Sequence, residues 1–122
     1  MAMAEWAEED VLYADKQLVV RRTFAPAGLT VTGAIDVFNV DAFAETLETS
    51  LVGQGDLKID LHSLEFCDVS GIRALVAAAK VVNEGRRLVL HGLPEQLRTV
   101  MTLVGWNDLP GLVIADADEM SR

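Results

Sequence analysis

The 122-residue sequence predicts a single α/β domain: a mixed, mostly parallel β-sheet with helices packed against it, in the order β-β-α-β-α-β-α-β. Three observations lead there. Some segments alternate apolar and polar residues while others repeat apolar residues at helical spacing, and the two kinds take turns along the chain. Strand–helix–strand units of this length pair their strands in parallel, with right-handed crossovers. The length suffices for one real core and is short for two domains.

The first elements are extended. Gln17–Phe24, "QLVVRRTF", is rich in β-formers; "APAG" supplies turn chemistry, and "LTVTGAID" at Leu29–Asp36 returns as the partner strand. Val11–Tyr13 can add an edge strand. After Asp36 the period changes: Val40, Phe43, Leu47 and Leu51 fall at helical spacing, with Asn39 or Asp41 placed to cap the start and Gly53 to close the end.

"DLKIDLHS" then alternates Leu57, Ile59 and Leu61 against Lys58, Asp60 and His62 and reads as a central strand. A second helix is predicted from Ser70 to Glu84, stopping at Gly85. Its sheet-facing stripe is Ile72, Leu75, Val76, Ala79 and Val82. "RRLVLHG" at Arg86–Gly92 is the next strand. "LPEQLRTVMTLVG" is a third helix, with Pro94 at its first position, Leu97, Val100, Met101 and Val104 as the apolar face, and Gly105 as the stop. "GLVIAD" at Gly111–Asp116 is the last strand. The domain therefore spans 11–116, between an acidic tail at 1–10 and a short one at 117–122.

The net charge of −9 is concentrated at the ends, which carry −7 between residues 1–15 and 116–122. The body mixes its charges and has no basic stripe of the kind that holds nucleic acid, so a direct nucleic-acid role is not expected. The acidic ends serve solubility. One cysteine, Cys67, cannot close an internal disulfide, and with His62 and His91 it falls short of a structural zinc set. No apolar run reaches membrane-spanning length and the start is acidic, so a reducing cytoplasm, without membrane attachment, is the expectation.

Function turns on "FCDVSGIRAL" at Phe66–Leu75. Ser70 follows a strand and opens a helix, so it can be a nucleophile, a helix cap or a phosphate acceptor. The nucleophile elbow needs glycine two before and two after the serine, where this chain has Asp68 and Ile72. A triad would have to recruit His91 with Asp108 or Asp116 from a distance. Both histidines have a plainer place as polar residues at strand ends, and Cys67 as a small buried hydrophobe. Phosphate-cradling glycine motifs are absent from the sequence. A serine at a helix start, however, is stabilising as a cap, and a phosphate there meets unpaired N–H groups and the positive end of the helix dipole.

Three stretches carry a family likeness: "GAID" at Gly33–Asp36, "LKIDLHSLEFCDVSGIRAL" at Leu57–Leu75, and "GLPEQLRTVMTLVGW" at Gly92–Trp106. In order and spacing, over about Leu18 to Ala115, the chain resembles the STAS domain proteins that act as anti-sigma-factor antagonists in bacterial partner switching. The resemblance implies that Ser70, the second serine position of the family's D-S-S-G, is phosphorylated by an anti-sigma factor that is a serine kinase. Asp68 and Gly71 match the flanking Asp and Gly, and Asp36 the Asp near the phosphosite. It implies further that the unphosphorylated form binds the kinase and releases sigma factor, and that a phosphatase resets the switch. The chain itself would be no enzyme and need no cofactor, since the partner holds ATP. Ala34 and Val69 depart from the family's usual Glu and Ser.

One feature of the second helix stands apart from the likeness. Ala74, Ala77 and Val81 lie opposite the sheet-facing stripe, with Arg73, Lys80 and Glu84 along one side. An outward face this apolar suggests docking, although alanine is also simply a good helix former. The expected partner surface is Asp36, Asp68, Val69, Ser70, Gly71, Ile72, Arg73, Ala74, Ala77 and Val81. The competing expectations are a STAS subunit of a signalling scaffold or lipid-transport complex, in which Ser70 only caps, and a small serine hydrolase.

Overall fold

The computed structural model describes residues 10–24, 27–51, 55–82 and 85–115. Seven strands form one sheet: β1 (Val11–Ala14), β2 (Leu18–Phe24), β3 (Ala27–Ile35), β4 (Leu57–Asp60), β5 (Leu64–Cys67), β6 (Leu88–His91) and β7 (Leu112–Ala115). Three α-helices, α1 (Val40–Ser50), α2 (Val69–Val81) and α3 (Glu95–Val104), and a 3-10 turn at Trp106–Asp108 complete the described elements. The strand order is β1-β2-β3-β4-β6-β7, with β5 also pairing β3. The first two pairings are antiparallel hairpins; β3–β4, β3–β5, β4–β6 and β6–β7 are parallel, as connections through helices require.

The alternation read from the sequence sorts the sheet into two faces. Leu18, Val20, Leu29, Val31, Leu57, Ile59, Leu88 and Leu90 are buried on one, while Arg21, Thr32 and Lys58 are exposed on the other. Phe43 and Leu47 of α1, Ile72, Leu75 and Val76 of α2 and Met101 of α3 join the same apolar cluster, so all three helices share one face. Each such side chain fully removed from water contributes on the order of 1.5–3 kcal/mol.

Strand β5 was not expected from the sequence. Its residues are buried at Leu64 and Cys67 and exposed at Glu65 and Phe66, which breaks the period of two. It is a strand because β3 is longer than β4: β4 covers Gly28–Thr30, and the remaining edge at Gly33–Ile35 is paired by β5. Gly33 sits where β3 passes from one neighbour to the other. Its N–H donates to Ser63 O at 3.1 Å. With φ +110°, and with a Cβ that would lie 1.9 Å from Gln17 O, no other residue fits there.

Several boundaries move. The edge strand at Val11 is present. The first helix starts after Asn39, but the Asn39 side chain does not cap it; Gly53 lies outside the described residues. Helix α2 runs from Val69 to Val81 and turns extended at Val82, shorter than the predicted Ser70–Glu84, of which residues 83–84 lie outside the described residues. Pro94 is the residue before α3 rather than its first, and Gly105 ends that helix in the left-handed conformation at φ 79°. The predicted tails fall almost wholly outside the described residues.

Candidate functional site

Paired strands β3 and β5 deliver two loops to one corner. Ile35 and Cys67 are register partners, and the Asp68 N–H donates to Ile35 O at 3.2 Å, so the chain leaves the sheet at Asp36 and at Asp68 side by side. Asp36 leads into α1 and Asp68 into α2.

Asp68 is the cap of α2. Its Oδ1 accepts the Ser70 N–H at 3.0 Å and the Gly71 N–H at 3.4 Å, two of the donors that a helix start leaves without partners. The same oxygen accepts the Ser70 hydroxyl. The capping role expected of Ser70 therefore belongs to Asp68. Ser70 is the second residue of the helix, partly exposed, its side chain held by the cap rather than forming it.

Beneath the turn the packing is tight. A Cβ on Gly71 would lie 2.4 Å from Cys67 Sγ and 3.0 Å from Ile35 Cγ2, so the helix start rests directly on the buried thiol. Burial first, and the charge of Asp68 second, push the Cys67 thiol up to about 12, which keeps it protonated and unreactive.

Asp36 is held on both oxygens. Phe38 N–H donates to Oδ1 at 2.9 Å and Gln17 Nε2 to Oδ2 at 2.8 Å. Asn39 locks the same loop, accepting the Asp36 N–H at 3.0 Å and donating to Ala34 O at 3.0 Å, which is why it caps nothing. Gln17 belongs to the β1–β2 turn, built on Asp15: Oδ1 accepts the N–H groups of Gln17 and Leu18 at 2.7 and 2.8 Å, and Oδ2 accepts the Tyr13 hydroxyl at 2.6 Å. The Tyr13 bond is the largest of the contacts that hold the Asp15 carboxyl below its ordinary value, and the same bond raises the phenol.

The Asp36 loop and the ends of β5 and α2 present apolar side chains. Phe38 is 90% exposed, Val37 68%, Phe66 55% and Val69 46%. Val37 and Phe38 directly follow Asp36; Phe66 and Val69 bracket Cys67–Asp68. Val37, Phe38, Phe66 and Gln17 were missed by the sequence reading, although "VF" standing between a strand and a helix, off the Val40–Phe43–Leu47 stripe, was a readable signal for the first two.

The remaining expected site residues divide by burial. Arg73, Ala77 and Val81 are exposed on the outward face of α2. Ala74 is half-buried against the core and Ala78 is buried. Ile72 is fully buried and Gly71 is buried too, so neither can offer a side chain to a partner. His62 bonds Asp60 at 2.8 Å, and the Ser70 hydroxyl goes to a carboxylate rather than to an imidazole. Among the described residues no cluster of His, Cys, Asp and Glu could hold a metal ion, and no helix is long and apolar enough to cross a membrane.

The described residues thus form an α/β sheet with its helices on one face and, at one corner, a serine held by a capping aspartate near exposed apolar side chains. Residues 18–114 match the family described as "Mlab, STAS domain", and the chain belongs to that STAS domain family. Three solved structures share its fold. An anti-sigma factor antagonist from Mycobacterium paratuberculosis is 20% identical, with TM-score 0.64 over 85% of this chain and 90% of that one. An anti-sigma-factor antagonist (STAS) domain protein from Planctomyces limnophilus is 15% identical, with TM-score 0.66 over 88% and 96%. The anti-sigma factor antagonist SpoIIAA in its unphosphorylated form is 18% identical, with TM-score 0.59 over 78% and 84%. Comparison with curated protein sequences gave no significant match.

Proposed function

We propose that this chain is an anti-sigma-factor antagonist: a non-enzymatic, cytoplasmic binding module whose unphosphorylated form engages an anti-sigma factor with serine kinase activity and so releases sigma factor. The observation that carries the reading is Ser70. It is a partly exposed residue at the start of α2, its hydroxyl held by Asp68, next to exposed Val69, and the adjoining loop from Asp36 carries exposed Val37 and Phe38. Exposed apolar anchors held in place by the surrounding fold are what a specific partner buries. The partner surface is therefore Asp36, Asp68, Val69, Ser70, Arg73, Ala77 and Val81, widened by Val37, Phe38 and Phe66.

The switch is electrostatic. The Ser70 oxygen attacks the γ-phosphorus of the kinase's ATP, ADP leaves, and the hydroxyl proton passes to a base or to water. The product carries close to two added negative charges beside two carboxylates, and a partner surface matched to the apolar corner must desolvate them. A coupling of about 1–3 kcal/mol weakens binding roughly 5- to 150-fold until a phosphatase restores the hydroxyl.

The test is affinity for the host's serine-kinase anti-sigma factor measured with the parent chain, Ser70→Ala and Ser70→Asp. Parent and Ser70→Ala should bind alike and Ser70→Asp at least fivefold more weakly; three equal affinities overturn the proposal. A second reading, a STAS subunit of a larger assembly, is favoured by the family description matched, "Mlab, STAS domain". It predicts stable co-purification with that assembly irrespective of the residue at 70.

A further inference from the structure

We propose that Arg73 is the internal counter-ion of the phosphorylated state, drawing a phosphate on Ser70 away from Asp68 and along the outward face of α2. The inference rests on Ser70 being the phosphoacceptor and concerns what the chain does with the charge once it is there.

Helix starts ordinarily receive a phosphate on their free N–H groups. Here the two nearest donors, Ser70 N–H and Gly71 N–H, already point at Asp68 Oδ1, and the hydroxyl that phosphorylation consumes was the third donor on that oxygen. Phosphorylation thus removes a bond from the carboxylate and sets a dianion against it. Asp36 stands at the neighbouring loop with both oxygens fixed by Gln17 and the Phe38 N–H. Glu65 on β5 and Asp41 in the first turn of α1 add negative charge on the elements that meet here. Buried Cys67 and Ile35 close the space below the helix start.

The direction left open is outward, and it has a cation. Arg73 follows Ser70 by three residues, the spacing at which helix side chains meet, about 60° away around the axis at roughly 100° per residue. It is exposed and takes part in neither of the ion pairs found among the described residues, His62–Asp60 and Arg87–Asp56. The next cation on the helix, Lys80, lies in the last turn, beyond reach. Ala77 lies between Ser70 and Arg73 in angle and one turn further on, so a phosphate–guanidinium pair sets charge at the head of the Ala77–Val81 strip. One modification would then mask both the hydroxyl and the apolar helix face.

The experiment needs no partner. Phosphoserine is placed at position 70 of the full chain by genetic code expansion, and the phosphate is titrated by 31P NMR in the parent, Arg73→Gln, Arg73→Lys and Asp68→Asn backgrounds. A nearby guanidinium favours the dianion and a nearby carboxylate disfavours it. Arg73→Gln should therefore raise the second phosphate pKa by about 0.3–0.7 unit, a two- to fivefold change in proton affinity. Arg73→Lys should recover part of that shift, and Asp68→Asn should lower the value. The Arg73 Nε–H resonance should also move between the unphosphorylated and phosphorylated parent. A phosphate pKa blind to Arg73→Gln, or an unmoved Nε–H signal, overturns the assignment while leaving the proposed switch standing. A kinase that never modifies Ser70 would instead count against the switch and leave this titration intact.

Discussion

Removing the carboxylate of Asp68 isolates the contribution of the site to the fold. Asp68→Ala takes away two N–H contacts at 3.0 and 3.4 Å, the second long enough to be weak, together with the Ser70 hydroxyl bond. Loss of a cap costs about 0.5–2 kcal/mol. Because Asp68 is partly exposed, water can replace some of what is lost, which places Asp68→Ala at about 1–1.5 kcal/mol. Ser70→Ala forfeits only the hydroxyl bond, about 0.5–1 kcal/mol, and in the double variant that bond is counted once, so the cycle should show a coupling of about 0.5–1 kcal/mol. Asp68→Asn keeps an acceptor for the helix start and should cost less than half as much as Asp68→Ala. Urea unfolding at neutral pH measures all four, and thermal melts should fall by roughly 3–6 °C for Asp68→Ala. A cost for Asp68→Ala or a coupling below about 0.3 kcal/mol refutes the claim that Asp68 caps α2 and holds Ser70.

Gly71→Ala sets two effects against each other: alanine gains about 1 kcal/mol in a helix, but its Cβ falls 2.4 Å from Cys67 Sγ, and overpacking costs about 1–3 kcal/mol. The thiol is fixed on β5, so the clash should win; urea unfolding should show a net loss that Cys67→Ala relieves in the double variant, and a stabilised Gly71→Ala would contradict the packing. Tyr13→Phe removes the largest cause of the low Asp15 value, so the Asp15 carboxyl should titrate closer to its ordinary range by NMR. A depressed carboxylate contributes stability above its unfolded value and loses it as pH falls through the folded one. The Tyr13→Phe deficit should therefore be present at neutral pH and vanish in acid, and a deficit that persists there would show another origin.

What could be read in advance follows from periodicity. The stripes Val40–Phe43–Leu47 and Ile72–Leu75–Val76–Ala79 each mark a helix face that must be buried, and those residues are buried or packed on the core. Gly105 stopped α3 because a left-handed residue without Cβ is the inexpensive way to end a helix. The corner at Asp36 and Asp68 was found through motif likeness, and both residues lie at the ends of paired strands. Harder to read were the features that depend on a neighbour far along the chain. Ala74 and Ala78 lie off the sheet-facing stripe yet are half-buried and buried, and no wheel drawn on α2 alone contains the elements packed around it, α1 among them. Ile72 belonged to two expectations at once, the buried stripe and the partner surface, and only the first survives at 0% exposure.

The sequence by itself determined the alternation of strands and helices, the composition of the core and the placing of a serine where a helix begins, because these follow from the local spacing of apolar residues and from turn chemistry. Only the tertiary structure decided that β5 exists, that Asp68 rather than Ser70 caps α2, and that Gln17 reaches across from the first hairpin to hold Asp36. The physical reason is the same in each case. A strand without alternation, a cap chosen between two adjacent candidates, and a hydrogen bond across 19 residues are settled by which groups the fold brings within about 3 Å of one another, and no local pattern carries that distance.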